Sequence, residues 1–186
     1  IERLADRMFN QRLGELGRKP DAPFLSAGGG GGALNQSTET FSLSARVPEG
    51  GITAGLSAVV EEARRVEQFG FTASELERAK RSTLSFYERA YNERTKTESG
   101  SYAGEYVSYF LNGEPSPGIE YEYALIKDAM PGITLAEVTA RFRERLSASN
   151  RVLLATAPEK PEVKPPSAEE LTRALRAAEV KTVTAW

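Results

Sequence analysis

The sequence predicts an α+β domain in which a small, mainly antiparallel sheet carries helices on one face. Three observations predict it. Residues Phe41, Leu43, Ala45 and Val47 alternate with Ser42, Ser44 and Arg46, the period of a half-buried strand. Most other segments repeat apolar residues every three or four positions, the spacing of amphipathic helices. Three capping boxes, Thr72-Ala73-Ser74-Glu75, Thr134-Leu135-Ala136-Glu137 and Ser167-Ala168-Glu169-Glu170, set a hydroxyl three residues before a glutamate and so mark helix starts.

In chain order, Ile1, Leu4, Ala5, Met8, Phe9 and Leu16 predict a first helix stopped near Gly14 to Gly17, before Lys19-Pro20. Phe24 to Ala27 reads as a short strand leading into the glycine run Gly28 to Gly32. The alternating strand follows, then a turn at Pro48-Glu49-Gly50-Gly51. Ile52, Leu56, Val59, Val60, Ala63 and Val66 mark a helix closed by Gly70. The first capping box opens a long helix through Leu76, Ala79, Phe86 and Tyr91, broken at Glu98-Ser99-Gly100. Helices about Tyr102 to Leu111 and Ile119 to Met130 flank a loop from Asn112 to Gly118, and the second box opens one carrying Leu135, Val138, Phe142 and Leu146. Val152-Leu153-Leu154-Ala155, apolar on both faces, predicts a central strand over Arg151 to Ala157. Pro158, Pro161, Pro165 and Pro166 then read as an extended linker before a last helix, Ala168 to Val180.

With 186 residues, 40% of them hydrophobic, the chain suits one globular domain, or one domain with a tail. It carries 24 basic and 26 acidic residues, which offers no basic footprint for nucleic acid. No apolar run approaches the roughly 20 residues of a membrane span. Cysteine is absent, which excludes disulfides and thiol nucleophiles. Histidine is also absent, which excludes a Ser-His-Asp relay and the H-x-x-E-H zinc motif. The sequence opens inside an amphipathic pattern without an initiator Met, so a piece of a longer polypeptide is expected.

The candidate sites each have a plainer reading. A phosphate loop needs a following helix and a Lys-Ser/Thr pair, and Gly28 to Gly32 lead instead to Ala33-Leu34-Asn35 and another strand. Tyr87, Tyr91, Tyr102, Tyr106, Tyr109, Tyr121 and Tyr123 offer a groove for peptide or sugar, but the periodicity favours Tyr102, Tyr106 and Tyr109 packing between helices. Glu61-Glu62, Glu120-Tyr121-Glu122 and Asp128 are the best paired carboxylates, and solvated helix faces account for them. No catalytic, cofactor-binding or metal-binding residue is assigned.

Three stretches resemble the insulinase/pitrilysin-like zinc metallopeptidase family. Asn10-Gln11-Arg12-Leu13-Gly14-Glu15-Leu16 is similar to that family's N-x-R-L-x-E-L. Gly70-Phe71-Thr72-Ala73-Ser74-Glu75-Leu76-Glu77-Arg78-Ala79-Lys80 is similar to its G-[FV]-[ST]-x-x-E-L-x-R-[AV]-K, the most specific of the three. Gly118 to Tyr123 and Met130 to Leu135 resemble its bacterial zinc-protease branch.

The resemblance implies a mitochondrial-processing-peptidase-like metallohydrolase fold over residues 1–160, lacking its first strand or strands, with 161–186 as a Pro-rich linker and helix leading towards a next domain. It implies repeated domains that enclose a peptide chamber, one of which holds zinc on H-x-x-E-H. A chain without histidine is then a non-catalytic sibling, binding no cofactor itself while zinc sits elsewhere in the parent. Its expected partners are the sibling domains and, through them, peptide substrate, with no nucleic acid and no membrane span. An exposed sheet edge is expected to permit self-association. The alternative is a free-standing peptide-binding or assembly module. Arg94 and Tyr102 have the placement of a substrate-binding pair in the family's other half, and that role is not carried over to them. The residues leave the compartment of the parent unknown; the resemblance to a family whose bacterial members are often exported points to a bacterial and periplasmic one.

Overall fold

The computed structural model describes residues 1–35, 37–147, 149–160 and 163–186. They divide into two compact units, one formed by Ile1–Ala73 with Leu135–Trp186, the other by Ser74–Thr134.

The first unit begins with α1 (Glu2–Gly17), followed by β1 (Ser26–Asn35) and β2 (Thr38–Arg46). The strands pair antiparallel, with Gly29 opposite Leu43 and Gly31 opposite Phe41. The predicted early strand therefore starts two residues later and runs through the whole glycine run. On β2, Phe41, Leu43 and Ala45 are half-buried while Ser42, Ser44 and Arg46 are exposed, so one face of the sheet carries the core as expected.

That core gathers on Phe142 of α6 (Leu135–Glu144), whose ring lies 5.0 Å from Phe9, 5.4 Å from Phe41 and 5.5 Å from Phe71. Such ring pairs add about 0.5–1.5 kcal/mol each beyond the area they bury. α2 (Ile52–Phe69) turns Val59, Ala63 and Val66 inward. It ends at Gly70, whose φ of 72° lies where glycine is favoured. Its last turn has no basic residue of its own; Arg143 of α6 donates to the carbonyls of Glu67 and Gln68 at 2.7 and 3.4 Å. α7 (Ala168–Val180) opens with the full capping box of Ser167 and Glu170 and lies against α2.

The second unit holds most of α3 (Ala73–Asn92), a 3-10 turn at Arg94–Lys96, α4 (Ser99–Asn112), α5 (Ile119–Ala129) and a 3-10 turn at Met130–Gly132. These match the predicted helices and the loop, but the break falls earlier than expected, between Asn92 and Ser99, and Ser99 and Gly100 already belong to α4. Two helices begin directly after Thr72 and Thr134, where two of the boxes place them.

Two expectations fail. Arg151 to Ala157 forms no strand; Val152 and Leu154 are 92% and 86% exposed. The sheet has two strands among the described residues, and a strand apolar on both faces needs neighbours to bury it. Tyr102, Tyr106 and Tyr109 do not pack between helices; all three are exposed. The side chains of α4 that are half-buried are Glu105 and Ser108, so this helix turns its polar side inward.

Candidate functional site

Within the first unit, the first motif and the opening Gly70-Phe71 of the second resolve into structural work. Asn10 stands on α1 beside β1, and its side-chain amide donates to the Gly29 carbonyl and accepts from the Gly29 N–H, both at 2.8 Å. It thus pairs with the strand as a peptide group would. Asp6, one turn earlier, accepts from the Gly31 N–H at 3.3 Å and holds Arg145 at 2.6 Å. The glycine run follows from this close approach. A Cβ on Gly29 would meet Phe9 at 2.8 Å and Leu43 at 2.7 Å, and one on Gly31 would meet Arg145 at 3.0 Å. The run is a strand without side chains, and it leads to a second strand rather than to a helix, so it makes no phosphate cradle.

Arg12 of the same motif is 1% exposed and donates to Glu62 at 3.1 Å and to the Gly70 carbonyl at 3.0 Å. Glu62, equally buried, also accepts from Arg65 at 2.8 Å. Burial pushes the Glu62 carboxyl above the usual carboxylate range, while the hydrogen bonds from Arg65 and Arg12 pull the other way. The Arg12 guanidinium lies 5.1 Å from the ring centres of both Phe71 and Trp186. The tail that brings Trp186 there is held by Arg65 on Thr184 and by Lys181 on Glu61 at 2.7 Å. The carboxylates Glu61 and Glu62, adjacent in sequence, therefore serve different cations and do not face each other across a cleft.

Within the second unit, Arg94 donates to Glu120 at 2.9 Å and to the Tyr91 carbonyl at 2.7 Å, with its guanidinium 4.2 Å from the Tyr91 ring centre. Tyr91 in turn meets Tyr123 at 5.3 Å. The Tyr102 hydroxyl donates to the Arg94 carbonyl at 3.4 Å. Arg94 and Tyr102 are neighbours, then, but the arginine side chain is engaged by Glu120 and Tyr91. Ser116 donates to Glu105 at 2.6 Å, which ties the Asn112 to Gly118 loop to the polar side of α4.

The sequence holds neither histidine nor cysteine, and no group of three or more acidic side chains with metal-site geometry occurs among the described residues. A catalytic zinc site does not fit these residues. What the sequence reading missed is the buried Arg12–Glu62 pair and the outward turn of α4. Arg12 carried a signal: it falls on the apolar stripe of Met8, Phe9 and Leu13, where a charge needs a buried partner. For α4, one charged residue in 14 was the corresponding signal.

The chain is similar to a zinc protease PQQL-like protein of Arabidopsis thaliana, 32% identical over 150 residues, which is 78% of this chain and 13% of that protein. Its fold matches the first half of the periplasmic protease PqqL from Escherichia coli, with a TM-score of 0.78 at 16% identity over 98% of this chain and 40% of that one. It also matches a predicted insulinase family protease from Yersinia pestis, with a TM-score of 0.79 at 16% identity, over 95% of this chain and 38% of that one. No protein-family model matches the chain. The chain is similar to insulinase/pitrilysin-like zinc proteases and spans about an eighth of the length of its Arabidopsis relative.

Proposed function

We propose that the chain is a non-catalytic domain of a larger zinc metalloendopeptidase, shaping the substrate chamber and holding the fold together while zinc and catalysis sit in a sibling domain. One observation carries this reading. The residues through which the chain resembles the family are occupied in its scaffold: Asn10 on β1, Arg12 on Glu62, Gly70 at the end of α2 and Phe71 in the core. Residues 1–160 are taken as this domain, and 161–186 as the connection towards the next, with α7 seated on α2.

The test is zinc content and peptide cleavage, measured on this chain and on the full-length polypeptide that carries it. Inert, zinc-free chain beside an active, zinc-bearing whole supports the reading. Cleavage by the chain alone overturns it. An inert, zinc-free whole polypeptide would favour the second reading, a peptide-binding or assembly module, which the outward tyrosine face of α4 recommends. The periplasmic Escherichia coli neighbour supports a periplasmic location for the parent, to be checked by cell fractionation. Self-association of the isolated chain is assigned to the outer edge of β2, since α1 occupies that of β1 at Gly29 and Gly31. An unchanged monomer mass across a concentration series overturns that assignment.

A further inference from the structure

We propose that the outward face of α4 is a permanent docking surface for another domain of the same polypeptide, an inference that rests on the sibling-domain reading. The helix is built inside out. Tyr102, Tyr106, Tyr109 and Phe110 recur at helical spacing and are 40 to 84% exposed, and Val107 and Leu111 widen the stripe. None of its residues is buried, and its one charge, Glu105, is turned inward onto Ser116. A surface of tyrosine and phenylalanine, poor in charge, has the composition of an interface core rather than of a solvated face.

The area selects the occupant. At 150–250 Å² for each aromatic side chain, the exposed parts of the four rings come to about 500 Å². That is below the roughly 800 Å² that each partner of a free-standing stable complex buries, and further below an obligate dimer. It suits one side of an interface between domains of one chain, about 600–1,500 Å² in total, where the tether supplies a millimolar effective concentration. The chain spans 13% of its Arabidopsis relative, so such proteins have ample sequence to supply the partner. The matching surface is apolar and weakly charged, with carbonyl or carboxylate oxygens at its rim to accept the hydroxyls of Tyr102, Tyr106 and Tyr109.

The native chain has no cysteine, so Phe110→Cys and, separately, Tyr106→Cys each place a single thiol on this face, with Lys19→Cys as an exposed reference. Maleimide labelling is followed by mass spectrometry of the α4 peptide, in the 186-residue chain and in the full-length polypeptide. The expected result is labelling at both α4 positions slowed at least about tenfold in the full-length polypeptide, the uncovered state being a minority of about 10% or less, with the reference unchanged. Equal rates in both overturn the proposal. Slowing in the 186-residue chain as its own concentration rises assigns the face to a second copy, and overturns it. Slowing only on addition of reduced, alkylated α-lactalbumin assigns the face to unfolded substrate, and also overturns it. Cleavage and zinc are measured on the same samples, so failure of the protease reading is seen apart from failure of the docking surface.

Discussion

The two units of the chain spend their apolar side chains differently. The first gathers a core, with Phe9, Phe24, Val66, Val138 and Phe142 all nearly inaccessible and even an arginine and a glutamate sealed among them, while Leu34, Val152 and Leu154 stay exposed outside it. The second buries Leu76, Ala79 and Met130 but leaves Phe86, Tyr106, Tyr109, Phe110, Tyr121 and Leu125 exposed. One region has a core that accounts for its own stability. The other leaves the apolar side of α4 exposed, the face assigned above to another domain of the polypeptide. Hydrophobic periodicity is present in both, so periodicity alone does not say whether the partner lies within the chain.

The sharpest way to break this comparison is to truncate one ring in each unit. Phe142→Ala removes a side chain shared by Phe9, Phe41 and Phe71 and is expected to cost about 3–5 kcal/mol. Phe110→Ala, at 84% exposure, is expected to change the stability of the isolated chain by no more than about 0.5 kcal/mol. Urea unfolding of both variants checks this, and similar losses would erase the distinction.

Next in size is the buried pair. Arg12→Ala leaves Glu62 buried with its ion pair to Arg65 and is expected to cost about 3 kcal/mol, again by urea unfolding. Gly29→Ala brings a Cβ against Phe9 and Leu43 and is expected to cost about 1–3 kcal/mol. Gly32→Ala, three positions along the same strand, meets nothing and is expected to be close to neutral. A costly Gly32→Ala would mean that the run is needed for backbone freedom and not for the approach of α1.

The smallest effects are in pH. The folded Glu62 carboxyl titrates above its ordinary 4.5, so its favourable contribution is fully present below that value and is lost as pH rises through the raised pKa. Glu62→Gln should flatten the stability profile in that window. Glu2, hydrogen-bonded by Arg141, is shifted the other way, and its contribution is lost as pH falls below 4.5. Thermal melts across pH 3 to about 7 of the two Glu→Gln variants should therefore depart from wild type in opposite directions.

Much of this was legible in the residues. The capping boxes locate α3, α6 and α7, Gly70 ends α2, and the alternation from Phe41 to Val47 marks β2 with its inward face. Those signals are local: a hydroxyl, a positive φ or a period of two acts over a few residues. The fate of Val152-Leu153-Leu154 and of Tyr102, Tyr106 and Tyr109 was not legible, because burial depends on neighbours that come from distant sequence or from outside it.

By itself, then, the sequence determined the succession of helices, the alternating strand, and the absence of any histidine or cysteine that a zinc centre would use. Only the tertiary structure decided that the glycine run forms a strand pressed by α1 at Gly28 to Gly30, that Arg12 spends its charge on Glu62 beneath Trp186, and that α4 faces outward. The physical reason is range. Propensity and capping are settled within a turn or two of backbone, whereas close approach, desolvation of a charge and the choice of which face is buried are settled by groups brought together across the fold.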